Sequence, residues 1–518
     1  MHVGKEQFIY KSSFLFVLFI VALFASAYGI LEPDSHGYIA MAKSLQSGRG
    51  CLLEGQYNAV EPCGYSAVIA TVDTLTGLGN LITASKIANL VLLLGSFIFL
   101  LKTIKNLSLA TLFFINPISF YTYTYTLSES LFLFVFCGVF YWLNRMRDVS
   151  STKLDVLYLS LFLVIGCFSR YFFGPFCCVI WLCALAVFGR RFAIRALPGF
   201  IVAAIVYVGY QKFNLMLTGF PTGMQRMPAP ESPLYLTIAF LVRVSQAFLI
   251  LFLMVFLYKA IAGRNLRILK FNTLLQNLKN NASDFAPYKF LLFSGIGFLL
   301  LSFLIRMFYC FDLFDFRIIG YGVIFTSIAL LGLGDNSGHW GSWKSQSVAL
   351  ILIGILSVIP TQKLSNWKSI FETEYKSPQQ LIANSHSAIH NKTIFSFGLP
   401  QTSKFISADD QYYDSTSLIV HISTGPSYPT ENFDSFVAKV KKYANDDCVF
   451  DFSVFENKKD FETEVVDSAY PVALDFSKSV LKPGRVTVPA YDPEIGKFLM
   501  KVYRPKSVIA CSEILAQI

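Results

Sequence analysis

Charged residues are scarce in this sequence, and their scarcity excludes an ordinary soluble protein. Asp, Glu, Lys and Arg make up 15% of the 518 residues, whereas hydrophobic residues make up 54%. Soluble domains carry about 25% charged residues on average. The basic residues also form no cluster on a soluble face, so we predict no nucleic-acid partner.

Long hydrophobic runs occupy the first two thirds of the chain. Each is roughly 20 residues long, the length of helix that crosses a bilayer. We predict eleven spanning helices, so the fold class is a polytopic α-helical membrane protein, with ranges 12–31, 83–101, 107–121, 127–143, 155–169, 171–188, 193–211, 235–257, 289–308, 317–333 and 346–360. The first run is interpreted as a retained span rather than a signal peptide, because Ala25 and Ala27 make only a weak cleavage site.

Lys and Arg are concentrated in alternate connections between these runs. One set of connections contains Lys102, Lys105, Arg190, Arg191 and the basic segment 259–289. Because cytoplasmic loops are enriched in Lys and Arg, we predict that this set is cytoplasmic. The N-terminus is then cytoplasmic and the chain beyond residue 360 is extracytoplasmic. The segment 259–289 is predicted to contact the head groups of anionic membrane lipids.

The chain changes character beyond the last predicted span. Short β-rich runs alternate with charged helical stretches, which is typical of a small α/β domain. The predicted strands are 393–398, 417–423, 448–454, 472–476 and 501–511, and the clearest helix is 432–444. We therefore divide the chain into a membrane domain, 1–360, with an active-site loop at 32–80, and an extracytoplasmic α/β domain, 361–518. The tail shows no catalytic signature.

Four of the ten cysteines form two candidate pairs on the predicted extracytoplasmic side. Cys51 lies near Cys63 in the first loop, and Cys448 and Cys511 lie in the tail. In an oxidising compartment each pair would form a disulfide. The alternative is four free buried thiols, and the sequence leaves both interpretations open.

Ionisable groups at a membrane boundary are informative, because burying them is costly without a role. In the first extracytoplasmic loop Asp34 directly follows a span, which fixes its height on the membrane surface. His36 and Tyr38 follow it, before an amphipathic helix predicted at 39–46. An ordinary Asx turn before a surface helix would account for the same residues.

Further polar groups are predicted on the same face of the membrane. They are Glu61, Tyr65, Glu129, Arg170, Asp315 and Arg317. Glu129 opens an apolar helix, where the helix dipole favours a carboxylate even without a catalytic role. Carboxylates and arginines at one level suit the binding of an anionic head group and the activation of a hydroxyl.

The order of these motifs resembles the GT-C superfamily of polyprenyl-phosphate-sugar glycosyltransferases. The resemblance is to the branch with protein O-mannosyltransferases and lipid A aminoarabinose transferases, and it covers roughly residues 10–335. Its markers are Asp34 to Ala42, Pro62 to Tyr65, Asn116 with Pro117, Leu127 to Glu129, Ser169 with Arg170, Leu217 to Gly219, and Asp315 to Arg317. The chain departs from the family in having Ser35 where a second acid is common and Ser66 where a proline is common.

The resemblance implies a glycosyltransferase that inverts the anomeric carbon. The donor would be a polyprenyl-phosphate sugar in the membrane, and the acceptor would be a glycan, lipid or protein hydroxyl. Asp34 is expected to be the general base, and Glu129 to position the acceptor or support a metal. Arg170 and Arg317 would bind the lipid phosphate, and the sugar pocket would contain His36, Tyr38, Glu61, Tyr65 and Asp315. The cofactor stays unknown, since some relatives use a divalent ion but no ligand cluster here requires one.

Three other functions fit parts of the sequence. A secondary transporter would need ionisable or broken segments at mid-membrane, whereas these spans lack charge at their centres. A polymerase or ligase of lipid-linked glycans would place its key groups in one large late loop. A silent scaffold would not need Asp34 and Glu129. We expect the protein in a bacterial inner membrane rather than an endoplasmic reticulum. The Asn391 sequon in the tail would be glycosylated only in the second of these.

Overall fold

A computed structural model describes most of the membrane region and parts of the tail. The described residues are 17, 33–53, 56–147, 152–223, 231–261, 271–280, 283–309, 314, 316–334, 343–358, 393–396, 418–421, 432–444, 448–452, 457–462, 469–475, 484–489, 492–505 and 507–518. Apart from residue 17, the predicted first span therefore lies outside the described residues.

The membrane region is almost entirely helical. Its helices are α1 (Pro33–Gln46), α2 (Gly64–Thr76), α3 (Leu81–Ile104), α4 (Leu107–Phe114), α5 (Pro117–Thr124), α6 (Glu129–Arg145), α7 (Lys153–Ser169), α8 (Phe173–Phe188), α9 (Arg190–Thr218), α10 (Pro233–Ile261), α11 (Phe271–Lys279), α12 (Ala286–Phe308), α13 (Phe316–Gly334) and α14 (Trp343–Val358). A short hairpin of β1 (Leu52–Leu53) and β2 (Gln56–Tyr57) separates α1 from α2.

Five of the described helices are long and apolar enough to cross a membrane, and they are α3, α9, α10, α12 and α13. A sixth crossing results if α5 and α6, whose axes differ by 117°, are counted as one broken span. Their apolar lengths make the chain a multi-pass membrane protein. The total of eleven spans stays a prediction.

The predicted span 107–121 is not one continuous helix. Helix α4 ends at Phe114, and α5 starts afresh at Pro117. The Asn116 side chain accepts a hydrogen bond from the backbone N–H of Ser119 at 3.0 Å, as an N-cap does. Proline favours the first position of a helix and disrupts its interior. The pair Asn116 and Pro117 therefore breaks the hydrophobic run into two helices.

Close helix packing in the core depends on glycines at the crossing points. Helices α12 and α13 pack side by side, and a Cβ on Gly295 would lie 2.8 Å from the carbonyl oxygen of Gly322. Aromatic rings fill the space around this pair, and Phe136 stacks on Phe325 at a centroid distance of 4.2 Å. This packing fixes α13, whose first turn carries Arg317.

The tail contains a four-stranded sheet. Its elements are β3 (Thr393–Ser396), β4 (Leu418–His421), α15 (Phe433–Tyr443), β5 (Cys448–Asp451), α16 (Lys458–Phe461), β6 (Ala469–Asp475), β7 (Gly484–Pro489), α17 (Pro493–Val502), β8 (Val508–Ala510) and α18 (Cys511–Leu515). The strand order is β4-β3-β5-β8, with β3 parallel to β4 and β5 and with β8 antiparallel to β5. Phe395, Phe436 and Phe450 lie in its core.

One strand prediction in the tail was partly wrong. Lys501 and Val502 end helix α17, and the strand is confined to Val508–Ala510. Helix α17 buries Ile495 and Leu499, which lie about one helical turn apart. This spacing of buried apolar residues favours a helix here, although β-branched residues follow. Cys448 and Cys511 are joined by a disulfide, as one of the two interpretations predicted. The boundary at 360/361 lies outside the described residues and stays a prediction.

Replacing Gly295 by Ala should destabilise the protein. The added methyl would press on backbone atoms of α13 at 2.8 Å, and overpacking of this kind costs about 1–3 kcal/mol. Thermal unfolding of the purified protein in detergent measures the effect. Gly209→Ala is the matched control, since a Cβ on this helical glycine would meet no atom within 4 Å. Equal melting temperatures for the two variants would contradict the proposed close contact.

Candidate active site

Helix α1 presents Asp34 at its first turn. The predicted helix start at residue 39 was wrong, because the helix begins at Pro33 and includes Asp34. Proline is favoured at the start of a helix, and the dipole stabilises an acidic residue in the first turn. Asp34 therefore lies on a rigid helix rather than in an Asx turn, with 36% of its side chain exposed.

A disulfide holds the segment that carries Glu61. Cys51 and Cys63 are bonded, so the disulfide interpretation is confirmed for this pair as well. Within the loop that they close, the Asn58 amide donates to Glu61 Oε2 at 2.8 Å. The Glu61 carboxylate lies against α1, where a Cβ on Gly37 would be 2.6 Å from Oε2. The loop and the helix are thus fixed relative to each other.

Two carboxylates and two arginines meet at one end of the helix bundle, which we call the site end. Arg317 donates through Nη2 to Asp34 Oδ2 at 2.6 Å and through Nε to Glu129 Oε1. Arg170 forms a second ion pair with Glu129 Oε1. The four residues, which we call the ion cluster, come from α1, the start of α6, the turn after α7, and α13.

The ion cluster is electrically balanced but not fully hydrogen-bonded. Glu129 is 1% exposed, and its Oε2 has no hydrogen-bond partner in the described part of the chain. Arg170 lies in the turn between two helices. Burial alone would lower its pKa, but the Glu129 carboxylate and its hydrogen bond hold the pKa above the usual value. Arg170 is therefore charged, and Glu129 retains one oxygen that can accept a hydrogen bond.

Tyr38 and Tyr65 are buried next to the ion cluster. Tyr38 is buried and donates to the Ser128 hydroxyl at 2.9 Å, one residue before Glu129. Its ring meets the Tyr65 ring edge-on at 5.3 Å. Burial raises the pKa of the Tyr38 hydroxyl well above its usual range, and the nearby carboxylates raise it further. Tyr38 is therefore a neutral hydrogen-bond donor at any physiological pH.

Polar side chains on α3 hold the connection that leads to Glu129, and sequence reasoning gave them no role. Asn89 donates to the carbonyl oxygens of Tyr123 and Tyr125 at 3.1 and 2.7 Å and accepts from the Tyr65 hydroxyl at 2.6 Å. Lys86 donates to the Thr124 carbonyl oxygen at 2.7 Å. A Lys and an Asn one turn apart inside a predicted span were the available signal, because such groups need partners in a membrane.

Asn214 of α9 was a second omission of the sequence reasoning. It donates to the Tyr171 hydroxyl at 2.9 Å and to the Pro221 carbonyl at 3.1 Å, and it accepts from the Tyr57 hydroxyl at 2.7 Å. Tyr171 directly follows Arg170 and donates to the Ala59 carbonyl oxygen. Asn214 therefore ties the turn that carries Arg170 to the first loop.

Two predicted site residues are not placed by the structure. Asp315 lies outside the described residues, and so does the side chain of His36. In the part of the chain that is described, no three His, Cys, Asp or Glu side chains converge on a common point. The two carboxylates of the ion cluster, Asp34 and Glu129, are bridged by Arg317.

The comparisons with known proteins identify the fold. No family model and no curated protein matches the sequence. The crystal structure of ArnT from Cupriavidus metallidurans bound to undecaprenyl phosphate matches with a TM-score of 0.58 and 11% identity, over 92% of this chain and 97% of that chain. The chain has the GT-C fold. This confirms the fold that the sequence resemblance implied.

A second solved structure, apo ArnT from the same organism, aligns less well. Its TM-score is 0.42 at 12% identity, over 96% of this chain and 99% of that chain. The assignment of the fold rests on the first structure, and an identity of 11% supports similarity of the fold alone.

Glu129→Gln should destabilise the protein, because it leaves two arginines facing each other without the carboxylate between them. Removing one partner of a buried ion pair costs on the order of 3 kcal/mol. Adding Arg170→Gln to Glu129→Gln should then recover part of the loss. Thermal unfolding of the wild type, both single variants and the double variant measures this coupling. Strictly additive effects would show that Arg170 and Glu129 do not interact.

Proposed function

We propose that the protein is a membrane glycosyltransferase that transfers a sugar from a polyprenyl-phosphate donor to an acceptor hydroxyl. The observation that carries the proposal is the ion cluster, in which Arg317 bridges Asp34 and Glu129 at one end of a GT-C fold. The matched ArnT structure contains undecaprenyl phosphate, a ligand of the expected class. The acceptor class, whether glycan, lipid or protein, stays open.

The two arginines suit the phosphate of the donor. A guanidinium pairs with phosphate oxygens through parallel hydrogen bonds, as it does with carboxylates. When the sugar leaves, negative charge builds on the phosphate oxygen that had linked it to the lipid. Arg170 and Arg317 would stabilise this charge, and Glu129 holds both of them in place.

Asp34 suits the general base, but it is not free for this role in the unliganded arrangement. Its Oδ2 accepts the Arg317 Nη2 hydrogen bond at 2.6 Å. A phosphate that took over Arg317 would weaken this ion pair and free Asp34 Oδ2 to accept the proton of an acceptor hydroxyl. The donor itself would therefore activate the base.

The transfer step then follows directly. Asp34 takes the proton of the acceptor hydroxyl while the acceptor oxygen attacks the anomeric carbon. The bond from that carbon to the phosphate oxygen breaks, and polyprenyl phosphate leaves with the electron pair. Attack from the face opposite the leaving group inverts the anomeric centre. No proton is needed by the leaving phosphate, whose charge the arginines balance.

The remaining predicted contacts divide into two kinds. Glu129 would position the acceptor or the sugar through its unpaired Oε2. Glu61, His36 and Asp315 remain proposed sugar contacts. Tyr38 and Tyr65 are 3% and 0% exposed, so they would shape the pocket through their packing more than through direct contact. The cofactor stays unknown: no three metal-ligating side chains converge among the described residues, and we assign no step to a metal.

The site would lie on the extracytoplasmic side of a bacterial inner membrane. This placement rests on the distribution of Lys and Arg, which puts the N-terminus in the cytoplasm and the tail domain on the same side as the site. The Cys51–Cys63 disulfide beside the site supports it, because disulfides persist in oxidising compartments.

Asp34→Asn should abolish sugar transfer while leaving the fold intact. Losing a general base together with its positioning should lower the rate by about a thousandfold. The assay uses purified full-length protein and a panel of polyprenyl-phosphate sugars, at matched monodispersity. Asp73→Asn is the control, since this buried carboxylate accepts from Gln46 at 2.9 Å outside the ion cluster.

The possible outcomes test the role of Asp34 and the glycosyltransferase function separately. Transfer that is lost in Asp34→Asn and retained in Asp73→Asn supports the proposal and names the donor. Undiminished transfer by Asp34→Asn would refute the assigned base. Absence of both turnover and binding across the donor panel would refute the glycosyltransferase function itself.

A further inference from the structure

The loop closed by the disulfide between Cys51 and Cys63 contacts both sides of the ion cluster, and the proposed reaction gives this disulfide no role. We call it the disulfide loop. The Asn58 backbone N–H donates to the Cys51 carbonyl oxygen at 3.0 Å, and the Asn58 side chain accepts from the Val60 N–H at 2.9 Å. Together with the bond from Asn58 to Glu61, these contacts hold the second half of the loop in one conformation.

On one side the disulfide loop packs against helix α1, which carries Asp34. Gly37 lies about one helical turn after Asp34, and a Cβ on Gly37 would be 2.6 Å from Glu61 Oε2. The Asn58 amide also donates to the Met41 sulfur at 3.5 Å, about one turn further along the same helix. A loop that approaches two successive turns of α1 this closely fixes the position of the helix.

On the other side the disulfide loop contacts the turn that carries Arg170. The Tyr171 hydroxyl donates to the carbonyl oxygen of Ala59, within the loop. Gly64 directly follows the loop, and a Cβ there would be 2.5 Å from the carbonyl oxygen of Phe168. Residues before and after Arg170 are therefore in contact with the loop or with its end.

The disulfide loop is thus a second link between Asp34 and Arg170, independent of the ion pairs. In the unliganded arrangement Asp34 and Arg170 are connected through Arg317 and Glu129. The proposed reaction breaks this connection, because the donor phosphate takes Arg317 from Asp34. Contacts such as those of the disulfide loop must then keep the base and the phosphate-binding arginine in position.

We propose that the Cys51–Cys63 disulfide positions the general base for sugar transfer, so that the enzyme is fully active only when this bond is formed. The inference rests on the proposed function, since it concerns the position of Asp34 relative to the donor. The bond forms by thiol–disulfide exchange with a disulfide oxidant of the extracytoplasmic compartment. The two thiols lose two protons and two electrons, and the disulfide of the oxidant is reduced to two thiols.

Reduction of the folded protein tests the proposal. Full-length Cys448→Ser/Cys511→Ser, which lacks the disulfide of the tail, is assayed in nanodiscs before reduction, after reduction, and after reoxidation with glutathione disulfide. Reduction should lower kcat by about a hundredfold, the cost of displacing a reacting group by the order of 1 Å. The KM for the donor should change little, because Glu129 still holds both arginines.

The variant Cys51→Ser/Cys63→Ser completes the comparison. It should transfer slowly from the start and should not respond to the reductant. Equal kcat of Cys448→Ser/Cys511→Ser in its oxidised and reduced forms would overturn the proposal. A loss of kcat that reoxidation does not reverse, with loss of monodispersity, would also overturn it, because the disulfide would then serve folding alone.

Tyr171→Phe breaks the contact between the disulfide loop and the Arg170 turn while leaving the disulfide intact. It should lower kcat by up to about tenfold, as expected for one lost hydrogen bond. Tyr288→Phe is the matched control, since the Tyr288 hydroxyl donates to the Ile104 carbonyl oxygen at 3.2 Å, at the end of α3 remote from the site. Equal kcat values for the two variants would contradict a positioning role of the loop.

Amide hydrogen exchange separates this inference from the proposed function, because it needs no substrate. When Cys51–Cys63 is reduced, exchange in α1 should become faster by about tenfold, with exchange in α12 as the reference. If wild type neither binds nor turns over any donor of the panel, the proposed function fails. Faster exchange in α1 would then still support the positioning of Asp34 by the disulfide, and unchanged exchange would overturn it.

Discussion

The arrangement at the site end depends on the buried carboxylate of Glu129. It is the one group of the ion cluster that is almost fully removed from solvent, with 1% of its side chain exposed. An isolated charge in this position would be strongly unfavourable, so the two arginines that reach it are required for its burial. Arg170 comes from the turn after α7 and Arg317 from α13, and Arg317 also contacts Asp34 of α1. One carboxylate thus fixes the relative positions of α1, α7 and α13.

The surroundings of Glu129 show how an apolar bundle holds a polar site. The end of α5 and the connection to α6 carry backbone carbonyls that hydrocarbon cannot satisfy. Asn89 and Lys86 of α3 donate to three of them, at Tyr123, Thr124 and Tyr125. Such a network is rigid when its members are paired, and it sets the direction in which α6 begins. The polar groups beneath the site are therefore a support, although none of them needs to touch a substrate.

How far the sequence predicts this site depends on the kind of signal. Glu129, Arg170 and Arg317 were found because charges at the ends of apolar runs are rare and costly. The start of helix α1 was predicted six residues too late, at residue 39 instead of Pro33. Pro33 lies two residues after the predicted first span, and a proline there is typical of a turn as well as of a helix start. The break at Asn116 was missed because the hydrophobic run continues through it. The roles of Asn89 and Asn214 are set by distant carbonyls and hydroxyls, which no local pattern encodes.

The internal balance of the ion cluster bears on how such a site would bind an anion. Two arginines that are already neutralised by two carboxylates do not attract a phosphate through net charge. Binding must proceed by exchange, and the exposed Asp34, at 36%, is easier to displace than the buried Glu129. The pair Asp34–Arg317 is therefore the contact expected to open, while Glu129 keeps both arginines in place. Binding of the phosphate and release of Asp34 from Arg317 would then occur together. An acceptor could therefore be deprotonated only when the donor is bound.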